Sequence, residues 1–281
     1  MKEFLTDRYS YRTIINDKGY TPYPYLINRY GAYVLLCPSP LHGRSFVVGQ
    51  HADGRYVVTK GNGLSYSQHP FIYTQDTSAD VWGLLLKEDA LRDYYCCQDV
   101  QALGIKTNQM ECVIELDYPI YIPQTKATIK PAILQYNVEC PYRICDAPFM
   151  EKLQIEAEVV KWQQYNRKGY LQSHMIAAEI LISNLRTMHN HEVLHNAIHE
   201  QNYTWALELL DFELCRTPQH PYEKADYERH VPSLYSREVI QTYVIINYIA
   251  GVLREDVNYA DIDALFAEYG YDLNDYSIQG C

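Results

Sequence analysis

The sequence predicts an α+β chain, with strands and one helix in its first half and helices dominating its second. Short strand-like apolar runs extend as far as Val138, and past Asp146 the apolar residues recur at helical spacing. The turn chemistry between runs is clear. Arg44–Val48 and Arg55–Lys60 flank Gly49–Gly54, whose Asp53-Gly54 pair is a hairpin signal.

Taken in order, residues 1–42 are rich in Tyr and Pro, with turn signals at Asp17-Lys-Gly19 and Thr21-Pro-Tyr-Pro24. They are expected to form an irregular arm ending in a strand at Ala32–Leu36. The hairpin closes on Lys60-Gly-Asn-Gly63, and a Tyr/Ser/Gln-rich loop follows to about Asp80. Leu84–Leu103 carries a helical period through Ala90, Asp93, Tyr94, Cys97 and Val100, with Gly104 placed to end it. Glu111–Leu116 and Ala132–Val138 are strand candidates. Lys152–Arg167 and His174–Met188 are amphipathic helices joined through Lys168-Gly169. Ser236–Leu253 is a helix with Ser236 as N-cap and Glu238 in its first turn, and Ile262–Glu268 is a short one after Asp261. The two parts are expected to divide near 146–151, with a strand-rich part over 43–148 and a helical part over 149–281.

At 281 residues the chain is long enough for a substantial core. Its 28 Tyr against 6 Phe suit a broad polar surface, because a tyrosine can be half buried with its hydroxyl in water. A net charge of −11 with no basic stripe argues against nucleic acid or an anionic membrane as a partner over a large face. The eight cysteines form no C-x-x-C pair, Met1–Asp7 lacks the apolar core of a secretory leader, and the apolar segment Val239–Leu253 is short of a bilayer span. These features predict a cytoplasmic protein with reduced thiols and Cys281 as an inert tail.

The stretch His195–Pro218 carries the chemistry. A polar cluster of His195, Asn196, Glu200, Gln201 and Asn202 runs into the apolar Leu207, Leu209 and Leu210, which end on Asp211-Phe212-Glu213. An Asn amide oxygen and an Asp carboxylate nine residues apart are hard oxygen ligands. They suit a Mg²⁺ that also takes oxygens from nucleotide phosphates, as in a protein kinase-type site. A loop and an edge strand with a capping Asp explain the same residues without a ligand.

Four blocks in order resemble the selenoprotein-O (YdiU/SelO) family of kinase-fold proteins. The first is Gly43-Arg44 through Gly49, Gly54-Arg55 and Lys60-Gly61-Asn62-Gly63 to Tyr66-Ser67. The others are Ala90-Leu-Arg-Asp-Tyr94 with Ala102–Thr107, then Tyr142-Arg-Ile-Cys145, then His195 with Gln201-Asn202 and Asp211-Phe212. The similarity spans roughly residues 43–253. It implies a two-lobe protein-kinase-like fold with ATP and Mg²⁺ between the lobes. In the roles it implies, Lys60 contacts phosphates and pairs with Asp93, where the family has Glu. Gly61 and Gly63 let backbone approach the nucleotide, Arg143 steadies a terminal phosphate, and Asn202 and Asp211 hold the metal. The implied activity is transfer of AMP from ATP to a hydroxyl of a protein substrate. Two positions depart from the family: Tyr136 stands where an arginine is expected, and Gln201 where an acid serves as base. An amide cannot accept a proton at useful pH, so a nucleotide-binding pseudokinase is the alternative.

A rival reading uses His191-Glu192-Val193-Leu194-His195, a literal H-E-x-x-H. On a helix that spacing puts two imidazoles on one face for zinc with the Glu polarising a water, and a distant Glu213 or Glu223 could complete the set. Nucleophilic use of Cys96, Cys97, Cys140 or Cys215 has no supporting spacing, and inert packing is the expectation.

Overall fold

The computed structural model describes residues 1–39, 41–65, 83–122, 126–221 and 231–276. The chain divides into two compact units, Met1–Tyr95 with Asn108–Tyr142, and Cys96–Thr107 with Arg143–Cys281. The mixed α+β composition expected from the sequence is present.

The first unit is built on an eight-stranded sheet in which every pairing is antiparallel. Its strands are β1 (Lys2–Arg8), β2 (Tyr11–Ile15), β3 (Tyr25–Ile27), β4 (Tyr33–Cys37), β5 (Ser45–Gln50), β6 (Tyr56–Lys60), β7 (Gln109–Leu116) and β10 (Ala132–Val138). The order is β2-β7-β10-β6-β5-β4-β1-β3, and β8 (Ile120–Ile122) pairs separately with β9 (Ala127–Ile129). Seven residues of β10 are all buried, as a central strand covered on both faces requires.

The N-terminal arm is not irregular. Its residues supply β1, β2 and β3, so the opening of the chain brackets the sheet at both edges. Each of these strands has a weak signal: β3 is three residues long, and in β2 Ile15 alone is buried. In β1, Phe4 and Thr6 are buried on one face while Leu5 between them is exposed, so the period-2 pattern exists but one inward residue is polar. The β5–β6 hairpin stands as the Asp53-Gly54 signal indicated. Gly54 takes φ +90° and its N–H donates to His51 O at 3.0 Å.

A buried carboxylate ties this sheet to the segment that crosses it. Glu111 on β7 accepts from Asn137 Nδ2 at 2.7 Å and shares Oε1 with His51 Nε2 at 2.5 Å. Its Oε2 accepts from Gln135 Nε2 at 2.7 Å, and Gln135 in turn accepts the Tyr23 N–H at 3.1 Å. Every oxygen is used, so burying the group is tolerated.

In the second unit, α2 (Lys152–Trp162), α3 (Ser173–Asn190), α4 (Val231–Leu253) and α5 (Tyr259–Glu268) follow one another, and α3 packs on α4 and α5. α1 (Lys87–Ala102) belongs to both units along its length. Three helix ends differ from the sequence expectation. Ser236 lies inside α4 rather than at its cap, since Pro232 is compatible with a first turn that needs no N–H. Asn258, not Asp261, caps α5 by accepting the Ala260 N–H at 3.2 Å. α2 stops at Trp162 and continues as a 3-10 turn to Tyr165. Trp162 stacks on Trp205 with ring centroids 5.9 Å apart and donates its Nε1–H to Trp205 O, which fixes α2 against the loop that follows α3. Among the described residues no helix is long and apolar enough to cross a membrane.

Truncating Glu111→Ala strands three donors in the sheet and should lower unfolding free energy by about 3 kcal/mol, seen as a reduced urea midpoint. Glu111→Gln keeps one acceptor and should cost less. Equal midpoints for wild type and Glu111→Ala would show that the network contributes nothing.

Candidate functional site

Two of the residues singled out in the sequence meet in the first unit. Lys60 closes β6, with its backbone fixed between Ser45 and Leu134 on the neighbouring strands. Asp93 faces inward from the middle of α1. Lys60 Nζ donates to Asp93 Oδ2 at 2.7 Å, and the side chains are only 3% and 2% exposed. Two charges removed from water cost several kcal/mol each, and a strong mutual bond is what makes that burial tolerable. The pair places the Lys60 amine at the end of a strand.

Gly61 and Gly63 follow in left-handed conformations, φ +101° and +122°. A Cβ at Gly61 would lie 2.5 Å from Ala132 O and 2.8 Å from Leu85 Cβ, and one at Gly63 would press on Ile27 at 3.0 Å. These glycines are required by packing of their own chain, whether or not anything else approaches.

The second unit holds the remaining candidates, arranged by one tight hairpin. Tyr203 bridges Leu209, Thr204 N–H donates to Glu208 O at 3.0 Å, and Leu207 turns the tip with φ +58°. The reversal lets Leu210 N–H donate to Asn202 O at 2.9 Å, which sets Asp211 beside the Asn202 loop. Asp211 sits at φ +68°, a conformation Asp tolerates better than most residues. Asn202 is buried, and its Nδ2 donates to Ala197 O at 2.9 Å. That bond leaves the amide oxygen as the acceptor that faces away from Ala197.

Arg143 is tied to the same loop. Its backbone bridges Thr204, its guanidinium donates to Gln201 O at 2.9 Å, and its N–H donates to the buried Asp146 at 2.7 Å. His199 lies among these groups: its Nδ1 accepts the Gln201 N–H at 3.2 Å. Burial lowers its pKa below the ordinary value; Glu200 and Asp211 work against that shift, while Arg143 and Arg237 add to it. The structure therefore gathers Arg143, Asn202 and Asp211 around one imidazole. Gln201 is exposed, and Tyr136 is a buried β10 side chain.

His195 is completely buried. Its Nε2–H donates to Leu210 O at 2.9 Å, the ring meets Phe212 edge-on, and Nδ1 has no partner. Burial lowers its pKa, against the opposing charges of Glu238 and Asp211. The neutral imidazole is a strut for the segment leading into Asp211.

The zinc reading fails on geometry. α3 ends at Asn190, Glu192 takes φ +58°, and the H-E-x-x-H residues do not lie on a helix. His191 Nδ1 bonds Thr187 O at 2.8 Å, while His195 points at Leu210 O. Among the described residues, no cluster of three potential metal ligands includes either histidine. Glu223, Tyr66, Ser67 and Cys281 lie outside the described residues. The seven described cysteines are buried and form no disulfide with one another, and burial pushes the thiols of Cys112 and Cys145 up to about 12, which fits the inert reading.

Sequence reasoning overlooked Asp146 and gave Glu238 the wrong role. Glu238 holds the Asn196 N–H at 2.6 Å and His189 Nε2 at 2.9 Å, and so clamps the loop from α4. Its acid sits at a helical spacing that reads as a first-turn charge, so the only signal was misassigned.

No family model matches the chain, and no curated protein does. Among solved structures it is similar to the crystal structure of a Toxoplasma gondii specific rhoptry antigen kinase domain, at 7% identity and a TM-score of 0.41, over 89% of this chain and 79% of that one. Values this low assign no architecture.

Asp93→Asn leaves a buried ammonium without its counter-charge and should destabilise the protein by about 3–5 kcal/mol in denaturant titrations. The double variant Lys60→Met, Asp93→Leu should recover most of that loss; a double variant as unstable as the single would show that the pair's charge is not what Asp93 supplies. Because the folded His195 resists protonation, its contribution is complete above the ordinary value of 6.5 and is lost as pH falls below it. Unfolding free energy should therefore decline with acid below that point, less steeply in His195→Gln than in wild type.

Proposed function

We propose that the protein binds ATP with Mg²⁺ in a kinase-like arrangement, in which Lys60, held by Asp93, offsets phosphate charge and Asn202 with Asp211 supplies the metal's protein oxygens. The buried Lys60–Asp93 bond is the observation that carries this reading, since a structural role alone would be served as well by two apolar residues. The donor set suits the metal: an amide oxygen oriented by the Ala197 bond and a carboxylate are hard ligands of the kind magnesium takes beside phosphate oxygens. Magnesium would neutralise phosphate charge when bound.

The finer reading is nucleotidyl transfer of the selenoprotein-O type, with AMP passing to a protein hydroxyl. The acceptor oxygen bonds the α-phosphorus as the bond to the β-phosphate oxygen breaks, pyrophosphate leaves, and the hydroxyl proton goes to a base. Arg143, fixed by Gln201 O and Asp146, offsets charge on a phosphate. Gln201 cannot be that base. Its presence favours a second reading, a nucleotide-binding pseudokinase that performs no transfer.

Calorimetry decides the binding claim. Wild type should bind ATP only with Mg²⁺, and Asp211→Ala should weaken binding at least about tenfold, which is 1.4 kcal/mol. An absence of binding at millimolar ATP would end the proposal. Given binding, incubation with candidate proteins and ATP labelled at the α- or the γ-phosphate separates the readings: α-label incorporated alone means AMP transfer, γ-label means phosphorylation, and neither means a pseudokinase.

A further inference from the structure

The second unit contains a pocket whose lining includes none of Arg143, His199, Asn202 and Asp211. It has a volume of about 340 Å³, within the range of small-molecule sites. Its walls come from segments far apart in sequence: the chain after α1, the turn after α2, one face of α3, the hairpin tip at Leu207 and the residue after α5.

The lining has a definite chemical character. Lys106 and Arg167 bring two positive charges. Lys106 is placed by a bond from its Nζ to Ala206 O at 3.0 Å and lies over the Tyr165 ring at 5.7 Å. Arg167 is exposed, and its guanidinium has no partner among the described residues. From α3, Asn184 contributes an amide whose nitrogen is buried with no hydrogen-bond partner. A buried donor left unsatisfied costs about 1–3 kcal/mol, so an incoming acceptor is favoured there. Tyr165 and Tyr269 add ring surface, with Ile180 and Leu207 as apolar wall. The pocket's acid, Glu179, is partly offset by Lys168, whose Nζ lies 3.5 Å away and also bonds Glu268.

We propose that this pocket binds a small molecule consisting of a flat ring that carries an anionic group, a phosphate or a carboxylate, with the anion at Lys106, Arg167 and the Asn184 amide and the ring between the two tyrosines. Such a ligand uses each unusual feature of the lining: charge, an unsatisfied donor, and ring faces beside aliphatic surface. The site is separate from the nucleotide reading and does not depend on it.

Ligand-observed NMR on the full chain tests this with phenyl phosphate and benzoate as probes, and with phenol and inorganic phosphate as controls. One or both ring-bearing anions should bind at millimolar concentration, and the one that binds identifies the anion. Phenol and inorganic phosphate should bind much more weakly. Binding should fall roughly tenfold or more in Arg167→Ala, which alters only an exposed side chain, and disappear in Asn184→Asp, which keeps the shape but reverses the polarity. It should persist in Asp211→Ala. The proposal is overturned if neither anion binds, if a control binds as well as they do, if Arg167→Ala and Asn184→Asp leave binding intact, or if Asp211→Ala abolishes it.

Discussion

The ion pair between Lys60 and Asp93 is the constraint on which the first unit's chemistry depends. It joins the end of a central strand to α1, and both charges are out of water. Neither residue is tolerable there without the other, because an uncompensated buried charge costs more than most single interactions in a domain return. The pair therefore ties α1 to the end of β6, and Gly61 lets the strand end turn tightly against Leu85 and Ala132. A charged group held this way needs no reorganisation to meet an anion.

The second unit reaches a similar end by different means. Its polar residues are collected by a short hairpin that reverses at Leu207, so that Asn202 and Asp211 become neighbours through a backbone bond. The loop before the hairpin is then held from several directions. His195 bonds Leu210 O, Arg143 bonds Gln201 O, and Glu238 on α4 takes the Asn196 N–H. Leu207 and Asp211 both adopt positive φ, and such conformations persist only where the surroundings over-determine them. Rigidity of this sort favours a site whose ligands must be placed before anything binds.

The same hairpin tip serves a second purpose. Leu207 closes one wall of the pocket beside Lys106 and Asn184, so a ligand there and the Asn202–Asp211 loop share a single structural element. The physical link is the short chain of backbone bonds from Lys106 O to Leu209 N–H and from Leu210 N–H to Asn202 O.

The sequence by itself determined the local facts. Asp53-Gly54 marked the hairpin because a tight reversal requires a positive φ, and helical spacing from Ala90 to Val100 marked α1 because one face must be buried. The β10 limits, Ala132–Val138, follow from a short run carrying Ile133, Leu134, Tyr136 and Val138, although its Gln135 and Asn137 gave no sign that both faces would be buried. The first three strands were hidden, since β1 carries four charged residues and β3 is only three residues long, so that they gain stability from neighbours rather than from intrinsic preference. Lys60 and Asp93 could be named from a resemblance, but their bond spans 33 residues and exists only because the sheet and α1 pack together. The H-E-x-x-H motif shows the converse: its residues are all present, yet the helix ends before them and the ligand geometry never forms. The pocket is the extreme case, assembled from five separate segments with no spacing to read. Local propensity travels with the chain; charge pairing and cavities belong to the packing of distant parts.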